Sequence, residues 1–274
     1  MGVGASPPFY QHHVKYTYSA ASVAIRLLQN LPSSARKHLR KMVLLEDHEA
    51  VAYPDCHGRG FIFYCLENSK LRIQRTVSLW SNAFPIEAQN RYHYTWNIRT
   101  DRIPSPPEYL SADRLFASSV SISVGKWIAE TLLLRSLGMP KDAYTLVLDG
   151  SPLSARSAEV FQVVRRDAAW QTTLDLCYAR SILPEPSWYE RRLRLGYMYE
   201  DFSVAISGIS RDSSPIRCNF DPGAPCDPEA IVRAREKWSA KQWEEDWDTH
   251  EPASFQTESP LPPWHVLRWR RVIP

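Results

Sequence analysis

The sequence predicts an α/β domain: a small, mostly parallel sheet with helical crossovers, and a C-terminal helical portion packed on it. Three observations carry the prediction. Residues 19–31 have helical spacing and lead to a short apolar run that ends in acids, LLED. The same order returns later in the chain, where a helical segment leads to LVLDG. Helix-then-strand units repeated at a distance are what parallel strands joined by helical crossovers look like. After residue 150 the pattern is helical almost throughout.

Residues 1–15 hold prolines, glycines and paired histidines without a period and read as a loose lead-in. In SAASVAIRLLQNL, Val23, Leu27, Leu28 and Leu31 recur at near-helical spacing, with Ser19 or Ser22 available as N-cap and Pro32 as the stop. SSARKHLR adds a further helical turn. Met42 to Leu45 form an apolar run expected as a buried strand. LRIQRTVSLW alternates at Leu71, Ile73, Val77 and Leu79, which argues for a strand, but Arg75 interrupts the apolar phase and leaves a helix open. Residues 81–117 are rich in proline and aromatics and predict an irregular surface excursion. SISVGKWIAETLLLRSLGM places Val124, Trp127, Ile128 and Leu132 on one helical face. Gly138 stands where a C-cap needs a left-handed residue, and Pro140 blocks continuation.

Tyr144 to Leu148 are β-formers closed by the Asp149-Gly150 turn. From 157 to 183 no breaker occurs, and Val160, Val163, Val164, Trp170, Leu174 and Cys177 mark a buried stripe. Two further helices are expected around Gly196. CDPEAIVRAREKW starts a helix, with Asp227 as N-cap and Pro228 in the first position. The next helix carries Trp243 and Trp247. The organisation is a lead-in over 1–15, one domain over 16–263 (α/β to about 150, helical to about 250) and a tail over 264–274.

Composition narrows the function classes. With 44% hydrophobic and 12% aromatic residues, the chain of 274 has enough apolar material for a core, and disorder is excluded over most of its length. Net charge is +3, so no global field draws it to nucleic acid or anionic lipid. The five cysteines are odd in number and sparse, and no N-x-S/T acceptor occurs. Reduced thiols in cytosol or nucleus are the expectation. No signal-peptide pattern begins the chain and no apolar run is long enough for a bilayer. Gly2 and Ser6 have myristoylation spacing, against which Pro7 and the lack of a lysine cluster argue.

The densest chemistry lies in LLEDHEAVAYPDCHGRGFIFYC. His48, Cys56, His57 and Cys65 have zinc-ligand character, but no close knuckle pair is present. Cys56 and His57 have the makings of a thiolate–imidazole pair, although adjacent residues do not face each other. The plainer reading is packed core and turn, with Cys65 beside Phe61 and Phe63, and His57 and Asp55 serving backbone groups. Asp149, at the carboxyl end of a parallel strand, is the place where open α/β sheets bind ligands. An enzyme built there would join Asp149 to the Cys56/His57 region. Phosphate-binding glycine motifs and a nucleophile elbow are both missing, so no cofactor is expected.

The acids Glu244, Glu245, Asp246 and Asp248, with His250 and Glu251, could hold a hard cation, or form the wet face of a helix. The tail WHVLRWRR mixes Trp264 and Trp269 with Arg268, Arg270 and Arg271, as single-strand binders do, without a wider basic field. Ten tryptophans are a heavy load. Interfaces favour tryptophan, so Trp238, Trp243 and Trp247 are the candidate contacts for an unidentified protein partner.

The stretches LLEDHEAVAYPDCHGRGFIFYCLENSKLRIQRTVSLW, RRDAAWQTTLDLCYAR, RCNFDPG and WEEDWDTHEP together resemble a group of uncharacterised filamentous-fungal proteins, from about Tyr16 to Pro263. Longer members are similar to F-box-like proteins, with a Leu-Pro-rich helical segment ahead of the α/β part that has no counterpart before Tyr16. The resemblance implies a fungal intracellular protein and a non-catalytic interaction module like a substrate receptor without its F-box. It assigns no catalytic residue.

Overall fold

The computed structural model describes residues 17–84, 114–193, 197–211, 213–249, 254–264, 266 and 267. Gly2, Ser6, Gly196, His250, Glu251 and the tail arginines lie outside them, as does most of the 81–117 excursion; the side chains of Glu244, Trp247 and Asp248 are likewise not described.

The chain opens with α1 (Ala20–Asn30). Ser19 is its N-cap, with Oγ accepting from the Ser22 backbone N–H at 3.0 Å. Its buried stripe is Ala21, Ala24 and Leu28, whereas Val23 and Leu27 are more than half exposed. The leucine spacing therefore marked the outer face: the close approach of Glu46 and the turn beneath selects small residues inside. A single turn, α2 (Ser33–Arg36), precedes strand β1 (Lys41–Glu46). A tight turn, Pro54–Phe61, runs into α3 (Ile62–Glu67) and then β2 (Arg72–Ser78). After the short β3 (Leu115–Phe116) come α4 (Ala117–Ser136) and β4 (Tyr144–Asp149). Gly138 ends α4 with φ +99, the left-handed conformation its position called for.

The helical portion follows: α5 (Ser154–Ala179), α6 (Trp188–Leu193) and α7 (Phe202–Ser210). Strand β5 (Ile216–Cys218) returns to the sheet. Asp227 caps α8 (Pro228–Arg235), and α9 (Ala240–Thr249) and β6 (Ser254–Phe255) follow. β3 and β6 form a small antiparallel pair.

The main sheet has the order β1-β2-β4-β5, and each of its pairings is parallel. Each crossover thus steps in the same direction along the sheet. Parallel crossovers are right-handed almost without exception, and right-handed steps taken in one direction lay their helices on one face. Alternation along the strands agrees. Leu44, Ile73, Val77, Leu146, Leu148 and Ile216 point into a core shared with Leu28 of α1, Val124 and Ile128 of α4 and Ile206 of α7. A second, smaller core holds the far half of α5 against α8 and α9, through Trp170, Leu174, Cys177, Val232 and Trp243. The α/β class with a packed C-terminal helical portion is the observed architecture.

Arg75 does not break the strand. It sits in the inward phase of β2, fully buried, and is neutralised by Glu46 one strand away. Its Nε donates to Glu46 Oε1 at 2.8 Å, its Nη2 donates to the Pro54 carbonyl at 2.7 Å, and its guanidinium lies 4.6 Å from the centre of the Trp127 ring. Glu46 also accepts from the first backbone N–H groups of α1, at Ala20 (2.9 Å) and Ala21 (3.0 Å). A buried charge needs such a partner, and the helix N-terminus adds positive potential on the carboxylate; Arg75 Nη1 alone is left without a hydrogen bond. This pair ties α1, β1, β2 and α4 together.

Candidate functional site

The stretch 48–65 folds without converging. His48 is exposed, its Nδ1 2.7 Å from Asp47 Oδ1. Cys56 Sγ donates to Asp55 Oδ2 at 3.4 Å, and burial together with that carboxylate raises the thiol above its ordinary value. A raised thiol is the opposite of what a nucleophile needs. His57 spans Ser19 Oγ at 2.6 Å and the Ala52 carbonyl at 3.0 Å, which occupies both ring nitrogens. Cys65 is wholly buried and its thiol is pushed up to about 11 by desolvation. No group of three or more metal-ligating side chains exists among the described residues. His48, Cys56, His57 and Cys65 thus do not come together: His48 is exposed, Cys65 is in the core, and Cys56 and His57 sit in the turn between. One detail of the plain reading also changes: Phe61 is buried, but Phe63 points outward at 63% exposure.

Asp149 ends β4 in a closed turn. Its Oδ1 accepts from the Ser151 backbone N–H at 2.8 Å and from Asn219 Nδ2 at 2.5 Å. Asn219 in turn accepts from Gly150 N–H at 2.7 Å and donates to Ser151 Oγ at 2.9 Å. This ties the end of β4 to the end of β5. The Cys56/His57 segment runs beneath the helix-side face, where Gly58 abuts Leu134 and the Tyr144 hydroxyl. Asp149 belongs to the outward phase of the same strand, five residues on, about 16 Å along the strand. The two halves of the proposed enzyme site lie on opposite faces of the sheet, so the joint Asp149–Cys56/His57 site is overturned.

The tryptophans divide. Trp243 is 1% exposed and stacks with Trp170 (5.2 Å) and Trp238 (6.1 Å). Arg235 lies over Trp170 and Trp238 and pairs with Asp246 at 2.8 Å. Trp243 is thus corrected from a contact residue to the centre of the second core, and Trp238 is half-buried against it. Glu245 lies 3.6 Å from Lys241 and Asp246 pairs with Arg235, so neither holds a cation site between them. Among the described residues of this part, the exposed large aromatics are Trp188 and Tyr189 on α6.

What the sequence reading missed is the outward face of the sheet. It carries Lys41, Val43 and Leu45 from β1, Gln74 and Thr76 from β2, Thr145 and Val147 from β4 and Arg217 from β5, all exposed or half-buried. Register places them in rows: Val43–Gln74–Thr145, then Leu45–Thr76–Val147–Arg217. Val43 and Leu45 are 50% and 61% exposed. At the usual strand spacing the face is about 14 Å across. The available signal was the alternation of polar and apolar residues in RIQRTVS and in YTLVLD, which one-sided burial produces and two-sided burial does not.

No family model, curated protein or solved structure matches the chain. Among the described residues no helix is long and apolar enough to cross a membrane.

Proposed function

We propose that the protein is a non-catalytic interaction module that docks another protein on the outward face of its parallel sheet. The observation that carries this reading is the aliphatic pair Val43 and Leu45, exposed on the outward face of β1, the edge strand of an all-parallel sheet. Parallel sheets almost always have both faces covered. The main exceptions are singly wound solenoids, whose open face is the surface that binds partners. Here the face mixes apolar and polar groups as a protein contact does: Val43 and Leu45 on the edge strand and Val147 two strands away, with Gln74, Thr76 and Thr145 between and beside them and Lys41, Arg72 and Arg217 on the same face. A receptor of this kind fits the resemblance to the substrate-receptor part of F-box-like fungal proteins, in a cytoplasmic or nuclear setting. The chemistry that would favour an enzyme is meanwhile tied up in turns and core.

The test is a double substitution, Val43→Glu with Leu45→Glu. Both side chains are already in water, so stability changes by no more than about 1 kcal/mol. Proteins that co-purify with the wild-type chain should be lost from the variant and kept by a matched change at Leu133 and Leu137, which are exposed at the C-terminal end of α4 and its cap. Retention of the same proteins by the face variant would falsify the reading.

A further inference from the structure

A cavity of about 450 Å³ lies among α5, α7 and the loop that leads into α8. It is on the helix side of the sheet, away from the docking face, and rests on different residues. We infer that this cavity is an oxyanion pocket, taking a phosphate or carboxylate group on Arg165 and Arg211.

The charge balance is the first argument. The cavity is lined by the two guanidiniums and by Thr172, Ser203, Ser207 and Ser213, and no lining residue is a carboxylate. Neither arginine has an ion-pair partner among the described residues. Arg165 donates from Nη1 to the Ala224 carbonyl at 2.6 Å, while its Nε is buried and unpartnered. A buried guanidinium donor without an acceptor costs free energy, which a bound anion would relieve. The loop carries two carboxylates: Asp221 accepts from the Gly223 N–H at 2.8 Å, and Asp227 is turned to its own helix, one oxygen capping the Glu229 N–H at 2.9 Å and the other 3.6 Å from Arg233.

The second argument is the way the loop is built around Arg165. Gly223 has φ +70, and a Cβ there would stand 2.4 Å from the Arg165 guanidinium carbon. The left-handed φ favours glycine, and its missing side chain lets the backbone lie against the guanidinium. Thr172, Ser203 and Ser213 already donate to the Ala168 and Gly208 carbonyls, so the recognition of an oxyanion falls to the two guanidiniums. The volume suits a small ligand.

The experiment is a thermal unfolding series at constant ionic strength, with sodium phosphate, disodium succinate and sodium chloride as the three titrants. One of the first two should raise the midpoint saturably, by about 5 °C at a hundred times its dissociation constant, while chloride does not. A rise with phosphate alone assigns the pocket to phosphate-bearing ligands; a rise with succinate, alone or with phosphate, assigns it to carboxylates. Arg211→Ala, at an exposed position, should weaken the effect at least tenfold, and Arg165→Gln should abolish it. Lys241→Ala should leave it unchanged. No saturable rise with either anion, or an undiminished rise in Arg211→Ala, overturns the inference, even if Arg165→Gln fails to fold.

Discussion

At the residue scale the fold depends on ion pairs whose partners are far apart in sequence. Arg75 and Glu46 are the deepest. Removing one member strands the other in the core, and Glu46→Gln or Arg75→Met alone should cost about 3–5 kcal/mol in urea unfolding. A nearer pair holds α2 to α3: Arg36 Nε and Nη2 donate to the two oxygens of Glu67 at 2.6 and 2.8 Å, and Ser33 Oγ donates at 2.8 Å. These hydrogen bonds, Arg36 first, lower Glu67 to about 2. A carboxyl lowered on folding contributes stability above its unfolded value, about 4.3, and loses it as pH falls toward 2. Glu67→Gln should therefore flatten the acid limb of the stability curve between about pH 4 and 2 and shift the curve uniformly above pH 5. The thiols give a further check. Cys226 is exposed, Cys65 and Cys177 are buried, and Cys65 and Cys218 are pushed to about 11 and about 12. One fast-reacting thiol is expected in a native titration, and Cys226→Ser should remove it. A fast Cys56 would reopen the nucleophile reading. Little of this was legible in sequence, because Arg75 looks like an interruption until its partner on the next strand is known.

The elements themselves were far more legible, for a physical reason. Caps and breakers act over a few residues, so SAAS, LGMP and CDPE announce helix ends without tertiary help, and Ser19, Gly138 and Asp227 all stand where the local chemistry requires them. Ser19→Ala should cost about 1 kcal/mol through the lost cap, with a further loss from the His57 contact. Faces were less legible. Spacing located the stripe Val23, Leu27 and Leu28 on α1, yet two of those three point to water, because what lies opposite the helix decides which face is inside. The β4–α5 turn shows how tightly an element end is fixed. Trp80 Nε1 donates to Ser157 Oγ at 2.8 Å, which donates to the Gly150 carbonyl at 3.0 Å. A Cβ on Gly150 would stand 2.6 Å from that of Ser157, so Gly150→Ala should destabilise by about 1–3 kcal/mol through overpacking.

For the whole molecule, the sequential strand order is the governing fact. Among the described residues it puts the crossover helices on one side of the sheet and leaves Val43 and Leu45 exposed on the other, and it separates Asp149 from Cys56 and His57. The sequence pointed to parallel strands through its helix–strand units, but strand order depends on contacts between residues far apart, and no local pattern encodes it. The outward face escaped notice for the same reason: residue types with chemical promise cluster in sequence at 48–65, whereas this face is assembled from four strands. The most direct measurement is a photo-crosslinking scan, with a photoreactive residue placed in turn at 43, 45, 76 and 147, and at 133 and 204 as helix-side controls. The account predicts that the four sheet positions crosslink the same protein and the two controls do not. Equal crosslinking from the controls, or none from the sheet positions, would contradict it.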